Sequence, residues 1–336
     1  MFHKSLITKW LAVFSIGLMS LSVSAKTAVE THGALAVKGA SIVNQQGKPV
    51  SFSGPSLFWS NNGWGADVFY NDSAINEAQE QWNATITRAA IGVEPKGGYL
   101  DKPEDNMRKA HVAIKAAIKQ GMYIIVDWHA HHAEDHIPQA IDFFEQIARE
   151  YGEYPNIIYE IYNEPLNTAD WSTVIKPYSQ KLVAAIRAID PDNLIVIGTQ
   201  TWSQDVDKAS LDPVTGYDNL VYTLHFYAGT HKQDLRDKAI VAMENGLALM
   251  VTEWGTVNAN GDGGADVEET KRWVDFMRKY NLSNCNWALN HRDEGASMFK
   301  PKTNHTGPWA ESDFTPSGLI VRDIIKSWDT TDYDGD

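Results

Sequence analysis

A single cysteine, Cys285, is all this 336-residue chain carries. No disulfide can form within it, and its stability has to come from a packed core. Cys285 lies in an apolar stretch and reads as a small buried residue rather than a nucleophile. Positive charge is also short: 29 Lys and Arg face 43 Asp and Glu, for a formal net charge of −14. That balance argues against nucleic acid as a partner, because phosphates need basic patches. It suits a neutral substrate and keeps a protein dissolved. Long hydrophobic runs are missing beyond the N-terminus, so no later segment reaches the roughly 20 apolar residues that span a bilayer. Disorder is disfavoured as well, since 43% hydrophobic and 21% charged residues are ordinary globular proportions.

The one early apolar run, Trp10 to Leu21, follows Lys4 and Lys9 and ends near Val23-Ser24-Ala25. This is the pattern of an export signal cleaved after about Ala25, so residues 1–25 are expected to be a leader and the mature protein to be secreted and free of the membrane. Removing Lys4 and Lys9 takes the net charge from −14 to −16. No shift of composition divides residues 26–328, which read as one domain. Residues 329–336 (DTTDYDGD) form an acidic tail or the start of a linker, too poor in ligands for a calcium loop.

After a small hairpin at Leu35 to Lys38 and Ser41 to Val43, strand and helix patterns alternate. Expected strands are Val50 to Ser53, Thr85 to Ala89, Tyr123 to Asp127, Ile157 to Tyr162, Leu194 to Gly198, Val221 to His225, Leu247 to Thr252 and Ser283 to Leu289. Expected helices are Ala74 to Trp82, Pro103 to Gln120, Ile137 to Tyr151, Trp171 to Ile189, His231 to Asn245, Asp266 to Tyr280 and Ser317 to Ser327. Asp205 to Leu211 reads equally as a short helix or a loop. Eight strands alternating with helices imply an α/β fold of the (β/α)8 type, a TIM barrel, in a single domain.

In such barrels the residues just past each strand carry the chemistry. The run Ile157 to Tyr162 stops at Asn163-Glu164-Pro165, where Pro165 ends the ladder and holds Glu164 on stiff backbone. Alone, Asn-Glu-Pro reads as a strand end meeting solvent. A second strand, Leu247 to Val251, ends in Thr252-Glu253-Trp254, and two strands each presenting a glutamate supply the carboxylate pair that glycoside hydrolysis needs. Other strand tips offer Trp59, Arg88, His129, Trp202, His225, Tyr227, Trp287, Arg292 and Glu294. Arg88 could instead be a structural ion pair and His225 a satisfied interior histidine. Of the twelve tryptophans, Trp82 and Trp273 fall at helical core spacing, whereas those in loops suit flat sugar faces. His129-Ala130-His131-His132 with His136 could ligate a divalent ion. The neighbouring arginine opposes a cation, so no metal and no cofactor is expected.

Six segments in order, TRAAIGVE, VDWHAHH, IYEIYNEP, TLHFYAGTHKQDLRDK, VTEWGT and NWALNHRDEG, span most of Ser51 to Glu294. In this set the chain resembles the glycoside hydrolase family 5 endoglucanases, the bacterial secreted cellulases. The resemblance implies a (β/α)8 catalytic domain that cleaves internal β-1,4 bonds of cellulose with retention of configuration, as a monomer whose partner is a β-1,4-glucan. It implies Glu164 as acid/base, kept protonated by burial and a neighbouring negative charge, and Glu253 as nucleophile. Arg88 and Tyr227 then hold the nucleophile, His225 bonds the acid/base, and His129, Asn163 and Trp287 surround the sugar being cleaved. Trp59 and Trp202 serve as flanking platforms, with Arg292 and Glu294 as outer contacts. Relatives that carry a histidine shortly before the first-strand tryptophan have Ser56 here, and many have lysine where Arg292 stands.

Overall fold

The computed structural model describes residues 26–330. The expected leader, 1–25, and all but the first two residues of the expected tail lie outside the described residues. The hairpin forms as expected, from β1 (Ala36–Lys38) and β2 (Ser41–Val43). Eight further strands close a barrel: β3 (Ser53–Leu57), β4 (Ile86–Gly92), β5 (Tyr123–His129), β6 (Ile157–Glu160), β7 (Leu194–Ile197), β8 (Leu220–Tyr227), β9 (Leu249–Gly255) and β10 (Asn284–Leu289). They pair in chain order, β10 meets β3, and every barrel pairing is parallel. The (β/α)8 expectation is met.

Period-two alternation sorts each strand into an interior and a helix-facing row. Along β5, Tyr123 and Ile125 pack inside while Ile124, Val126 and Trp128 join the layer under the helices. Low in the barrel the interior is apolar, with Phe52, Ile86, Ile158, Val196, Val221, Met250 and Cys285 packed together. One step higher on the same rows come Arg88, Asp127, Glu160 and Thr223, all fully buried. The next step brings His129, His225, Tyr227 and Trp287 to the mouth. The rows thus change from hydrocarbon to charge to ring systems along the barrel axis.

Several elements begin or end where local chemistry requires. Helix Asp72–Trp82 starts under Asn71, whose side chain accepts from the Ala74 amide at 2.9 Å, and ends at left-handed Asn83. Helix Pro103–Lys119 has its proline in the first turn and stops at Gly121, with φ +62°. A Cβ on Gly121 would lie 2.2 Å from the Thr27 hydroxyl, so glycine also lets the N-terminal segment dock there. That segment is the short helix Ala28–His32, closed by a reciprocal Thr27–Glu30 capping box that was not anticipated. Its end is tied down: Tyr123 donates to the Gly33 carbonyl at 2.6 Å, and His32 packs edge-on against Phe52.

Two elements differ from expectation, and one open reading is resolved. The first barrel strand is Ser53–Leu57 rather than Val50 to Ser53, because Gly54 and Pro55 disguise it. Glycine is needed there, since a Cβ on Gly54 would fall 1.7 Å from the Ile86 carbonyl oxygen. The segment from Trp171 opens with a wide π turn, Trp171–Ile175, capped by Asp170, before the α-helix Lys176–Arg187. The ambiguous stretch after the fifth barrel strand contains a helix, Val206–Leu211. Trp82, Trp273 and Cys285 are buried as read, Trp273 stacking on Phe226 at 3.9 Å. Among the described residues no helix is long and apolar enough to cross a membrane.

Candidate active site

Arg88 is the centre of the polar layer and is wholly buried. Its Nε donates to Glu160 at 2.7 Å and its Nη1 to Glu253 at 3.0 Å. Its Nη2 reaches Asn163 Oδ1 at 2.7 Å, Asp127 at 2.9 Å and Glu160 at 3.2 Å. Burial opposes the Arg88 charge, but Asp127, Glu160 and Glu253 outweigh it and hold the guanidinium well above its ordinary value. Three carboxylates around one cation cannot all ionise freely. Glu160 falls below the usual range despite its burial, because Arg88 grips it. Burial pushes Asp127 well above that range against the pull of Arg88.

Glu253 faces inward because of an irregularity in β9. On β8, Thr223 pairs with Met250 and His225 with Glu253, so two steps of β8 match three of β9. A bulge of this kind re-aims side chains. Here it lets Thr252 and Glu253 both face the interior while Trp254 points out to stack on Phe226. Glu253 accepts from the Tyr227 hydroxyl at 2.8 Å as well as from Arg88. Burial raises it above the ordinary carboxylate range, the facing Glu164 adds to this, and His225, Arg88 and Tyr227 pull the other way.

Glu164 stands just past β6, where its amide donates to the Ala130 carbonyl at 3.2 Å and so carries the chain along the edge of β5. Its Oε1 meets His225 Nδ1 at 2.9 Å. One carboxylate oxygen of Glu164, one of Glu253 and a ring nitrogen of His225 lie within 4.8 Å of one another. The burial expected for Glu164 falls instead on its partner: the Glu164 side chain is 15% exposed and that of Glu253 6%. Glu164 opens toward the mouth, where a ligand has to reach it. Burial resists the charge on His225, yet Glu160, 3.7 Å from its Nε2, and Glu164, bonded to its Nδ1, carry it up to about 9.

The ring walls follow. His129 Nδ1 meets Asp127 at 2.6 Å, and burial, reinforced by Arg88, holds the imidazole well below its ordinary value, so it is neutral. Its ring lies parallel to Trp287 at 5.1 Å and takes the edge of Trp59 at 4.1 Å. Trp64 continues the wall beside Trp59 at 5.5 Å. Asn163 is buried, and its Nδ2 has no partner while Oδ1 is held by Arg88. A buried amide left with free donors suits an acceptor supplied by a ligand.

Trp202 is 38% exposed and rides on an unusual turn in which Thr201, Trp202 and Ser203 all have φ between +54° and +62°. Three consecutive non-glycine residues in the left-handed region persist only where neighbours hold them. The Trp202 amide donates to the Pro165 carbonyl at 2.8 Å and the Ser203 hydroxyl to the Asn163 carbonyl at 2.7 Å. Thr201 donates to Asp205 at 2.9 Å.

Arg292 and Glu294 sit at the rim rather than among the reacting groups. The Arg292 guanidinium covers Phe58 at 5.3 Å, donates to the Trp64 carbonyl and stands 3.8 Å from Glu294. The Ser56 hydroxyl turns to the Leu57 carbonyl at 2.9 Å. The histidines of the 129–136 segment do not converge: His129 faces Asp127, while His131 faces the Glu164 carbonyl at 3.3 Å. The ligand-capable atoms that do converge are those of Glu164, His225 and Glu253, and Arg88 beside them opposes a cation. Reading strand tips found the upper groups. It gave no role to Asp127 and Thr252, and it passed over Glu160, which is marked in sequence only as a charge inside an otherwise apolar strand.

A closed parallel barrel whose mouth holds two facing carboxylates, an arginine, imidazoles and a wall of indoles defines a barrel glycoside hydrolase. Comparison with known proteins agrees and is more specific. Residues 43–293 match the model of the cellulase family, glycosyl hydrolase family 5, and the chain belongs to that family. It is 50% identical to endoglucanase Z of Dickeya dadantii, over 94% of this chain and 71% of that protein. It is 43% identical to an endoglucanase of Clostridium saccharobutylicum, over 89% and 66% respectively. Among solved structures, one from Cytophaga hutchinsonii superposes with a TM-score of 0.87 at 44% identity, covering 89% of this chain and 96% of that one. The catalytic domain of Thermobifida fusca endoglucanase Cel5A, as a variant in complex with cellotetraose, superposes with a TM-score of 0.85 at 30% identity, covering 90% and 100%.

Proposed function

We propose that this hydrolase is a secreted endo-β-1,4-glucanase that cuts internal bonds of cellulose with retention of configuration. The observation that carries the mechanism is the spacing of the pair. One carboxylate oxygen of Glu164 and one of Glu253 lie within 4.8 Å of each other, which supports the close pair of a retaining enzyme, with carboxyl groups about 5–5.5 Å apart, over the roughly 6.5–9.5 Å at which an inverting one seats a water.

Glu253 attacks the anomeric carbon as the bond to the leaving oxygen breaks, and Glu164 gives that oxygen its proton. With the proton on Glu164, the charge that raises Glu253 from across the gap disappears. Arg88 and Tyr227, both already aimed at Glu253, then favour its anion. Water next attacks the glycosyl ester, Glu164 takes the water's proton, and Glu253 leaves as carboxylate. Asn163 Nδ2 is free to donate to a sugar hydroxyl at the cleaved residue, a contact of the kind that strengthens in the transition state. His129 and Trp287 frame that residue, and Trp59 and Trp202 offer platforms on either side. Arg292 and Glu294 act as outer contacts, and no group beyond the protein is required.

The name endoglucanase on the relatives supports cellulose as substrate, as does cellotetraose in the T. fusca complex. Residues 1–25 serve as the export leader, and the catalytic domain works as a monomer. The deciding experiment compares wild type with Glu253→Gln on carboxymethylcellulose, mannan and xylan. Activity is expected on the glucan, with turnover abolished and cellohexaose binding kept in the variant. Turnover on mannan alone, or a variant as active as wild type, would reject the reading.

A further inference from the structure

The polar layer contains a buried carboxylate, Glu160, that the proposed reaction does not use, although it is linked to both glutamates that are. On one side it takes Arg88 Nε and Nη2, and Arg88 passes on to Glu253. On the other it accepts from the Thr252 hydroxyl at 2.6 Å. Thr252 Oγ1 lies 2.9 Å from His225 Nε2, and His225 Nδ1 lies 2.9 Å from Glu164. Thr223 closes the remaining approach to the Thr252 hydroxyl. The chain of contacts from Glu164 through His225, Thr252, Glu160 and Arg88 to Glu253 is unbroken.

Donor and acceptor roles along this chain are constrained. Glu160, lowered below the ordinary carboxylate range although buried, is an anion and can only accept. The Thr252 proton is therefore committed to Glu160, which leaves Thr252 Oγ1 as acceptor toward His225. Nε2 has to be the donor. The remaining His225 position, Nδ1, then looks at Glu164, and the one movable proton of the pair lies on the line between them. Without Thr252 and Glu160 nothing would prevent the imidazole from carrying its proton on Nδ1 alone and leaving Nε2 bare.

We propose that Glu160 and Thr252 are positioning residues of the reaction: they pin the Nε2 proton of His225 away from the cleft, so that the proton used by Glu164 is always presented on the Nδ1–Oε1 axis. This rests on the reading of Glu164 as acid/base. A role confined to neutralising Arg88 would need neither the threonine nor the histidine, yet both are linked to Glu160 on the side away from the guanidinium. The charged and titratable groups that act on the imidazole are Glu160 on β6, whose carboxylate stands 3.7 Å from Nε2, Glu164 past β6, Glu253 from β9, His129 from β5 and His231 past β8. Glu164 bonds Nδ1 at 2.9 Å, and on the Nε2 side the Thr252 hydroxyl at 2.9 Å stands nearer than the Glu160 carboxylate.

Thr252→Val keeps the shape and removes the hydroxyl, Thr252→Ser restores it, and Glu160→Gln removes the anion. Each is assayed as the full chain on carboxymethylcellulose from pH 4 to pH 10, beside Glu253→Gln, with thermal unfolding of every variant. Thr252→Val is expected to lower kcat about tenfold or more, the loss of one hydrogen bond in a charged chain. KM should stay within about twofold. The alkaline limb of its profile should move to lower pH, because His225 holds its proton less tightly without the acceptors behind it. Glu160→Gln should move the limb the same way, and Thr252→Ser should recover kcat to within about threefold of wild type. A folded Thr252→Val with wild-type kcat and alkaline limb, or a Thr252→Ser as impaired as the valine variant, overturns the proposal. An active Glu253→Gln would instead overturn the catalytic reading, so the two failures are distinct.

Discussion

Replacing Arg88 with leucine removes the one cation that touches Asp127, Glu160 and Glu253, all of which are 5% exposed or less. Breaking a buried ion pair by deleting one partner costs about 3–5 kcal/mol, a large share of the roughly 5–15 kcal/mol that holds a domain together. The expected drop in thermal midpoint at pH 7.5 is on the order of 10 °C. The sign of the pH dependence follows from linkage. In the wild type Glu160 is depressed, so its contribution is present above the ordinary carboxylate value and lost as pH falls through its folded value. Asp127 and Glu253 stand above their ordinary values already; without the guanidinium all three carboxylates titrate higher than in the wild type, so the native state of the variant binds more protons on acidification than that of the wild type. The variant therefore gains stability relative to wild type on acidification, and the gap should narrow between pH 7.5 and pH 5. Urea unfolding at both pH values measures the gap, and glucan turnover at pH 7.5 should fall by about a hundredfold or more with the loss of a preorganised charge. A midpoint equal to wild type at pH 7.5, or a gap that widens toward acid, would refute the reasoning.

Trp202→Ala removes an exposed ring and no buried one, so the thermal midpoint should stay within about 2 °C while KM for cellohexaose rises about five- to tenfold and kcat changes less than about threefold. Steady-state kinetics on the hexaose would contradict this if KM stayed put. Gly54→Ala drives a methyl onto the Ile86 carbonyl and forces β3 from β4. Destabilisation of about 3 kcal/mol or more is expected, and a wild-type unfolding curve would count against the close approach.

The barrel was legible because six of its strands are apolar runs between amphipathic helices, and the repeat itself names the architecture. β3 was misplaced by several residues since its sequence, Ser-Gly-Pro-Ser-Leu, has the composition of a turn; what makes it a strand is its close packing on β4 and β10, which no local pattern records. The Thr27–Glu30 capping box was present in the sequence and went unread. At the site, Glu164 was found from Pro165, which stops the strand behind it. Glu253 was found for an incomplete reason. Strict alternation would turn Thr252 and Glu253 to opposite sides, and only the bulge in β9 lets them share the interior. The deeper residues Asp127 and Glu160 were given no role because a charge within a strand signals burial only once its counter-charge, contributed by Arg88 from a strand distant in sequence, is seen beside it.

The left-handed turn at Thr201 to Ser203 has a consequence for redesign. Its anchors run to the carbonyls of Asn163 and Pro165, the two residues that flank Glu164. Exchanging that loop for one from a relative, the obvious way to retune which polymer the cleft grips, would also tug on the backbone that aims the acid. Grip and chemistry are hung from the same peg here, so a swapped platform would need Ser203 retained before its effect on substrate choice could be read cleanly.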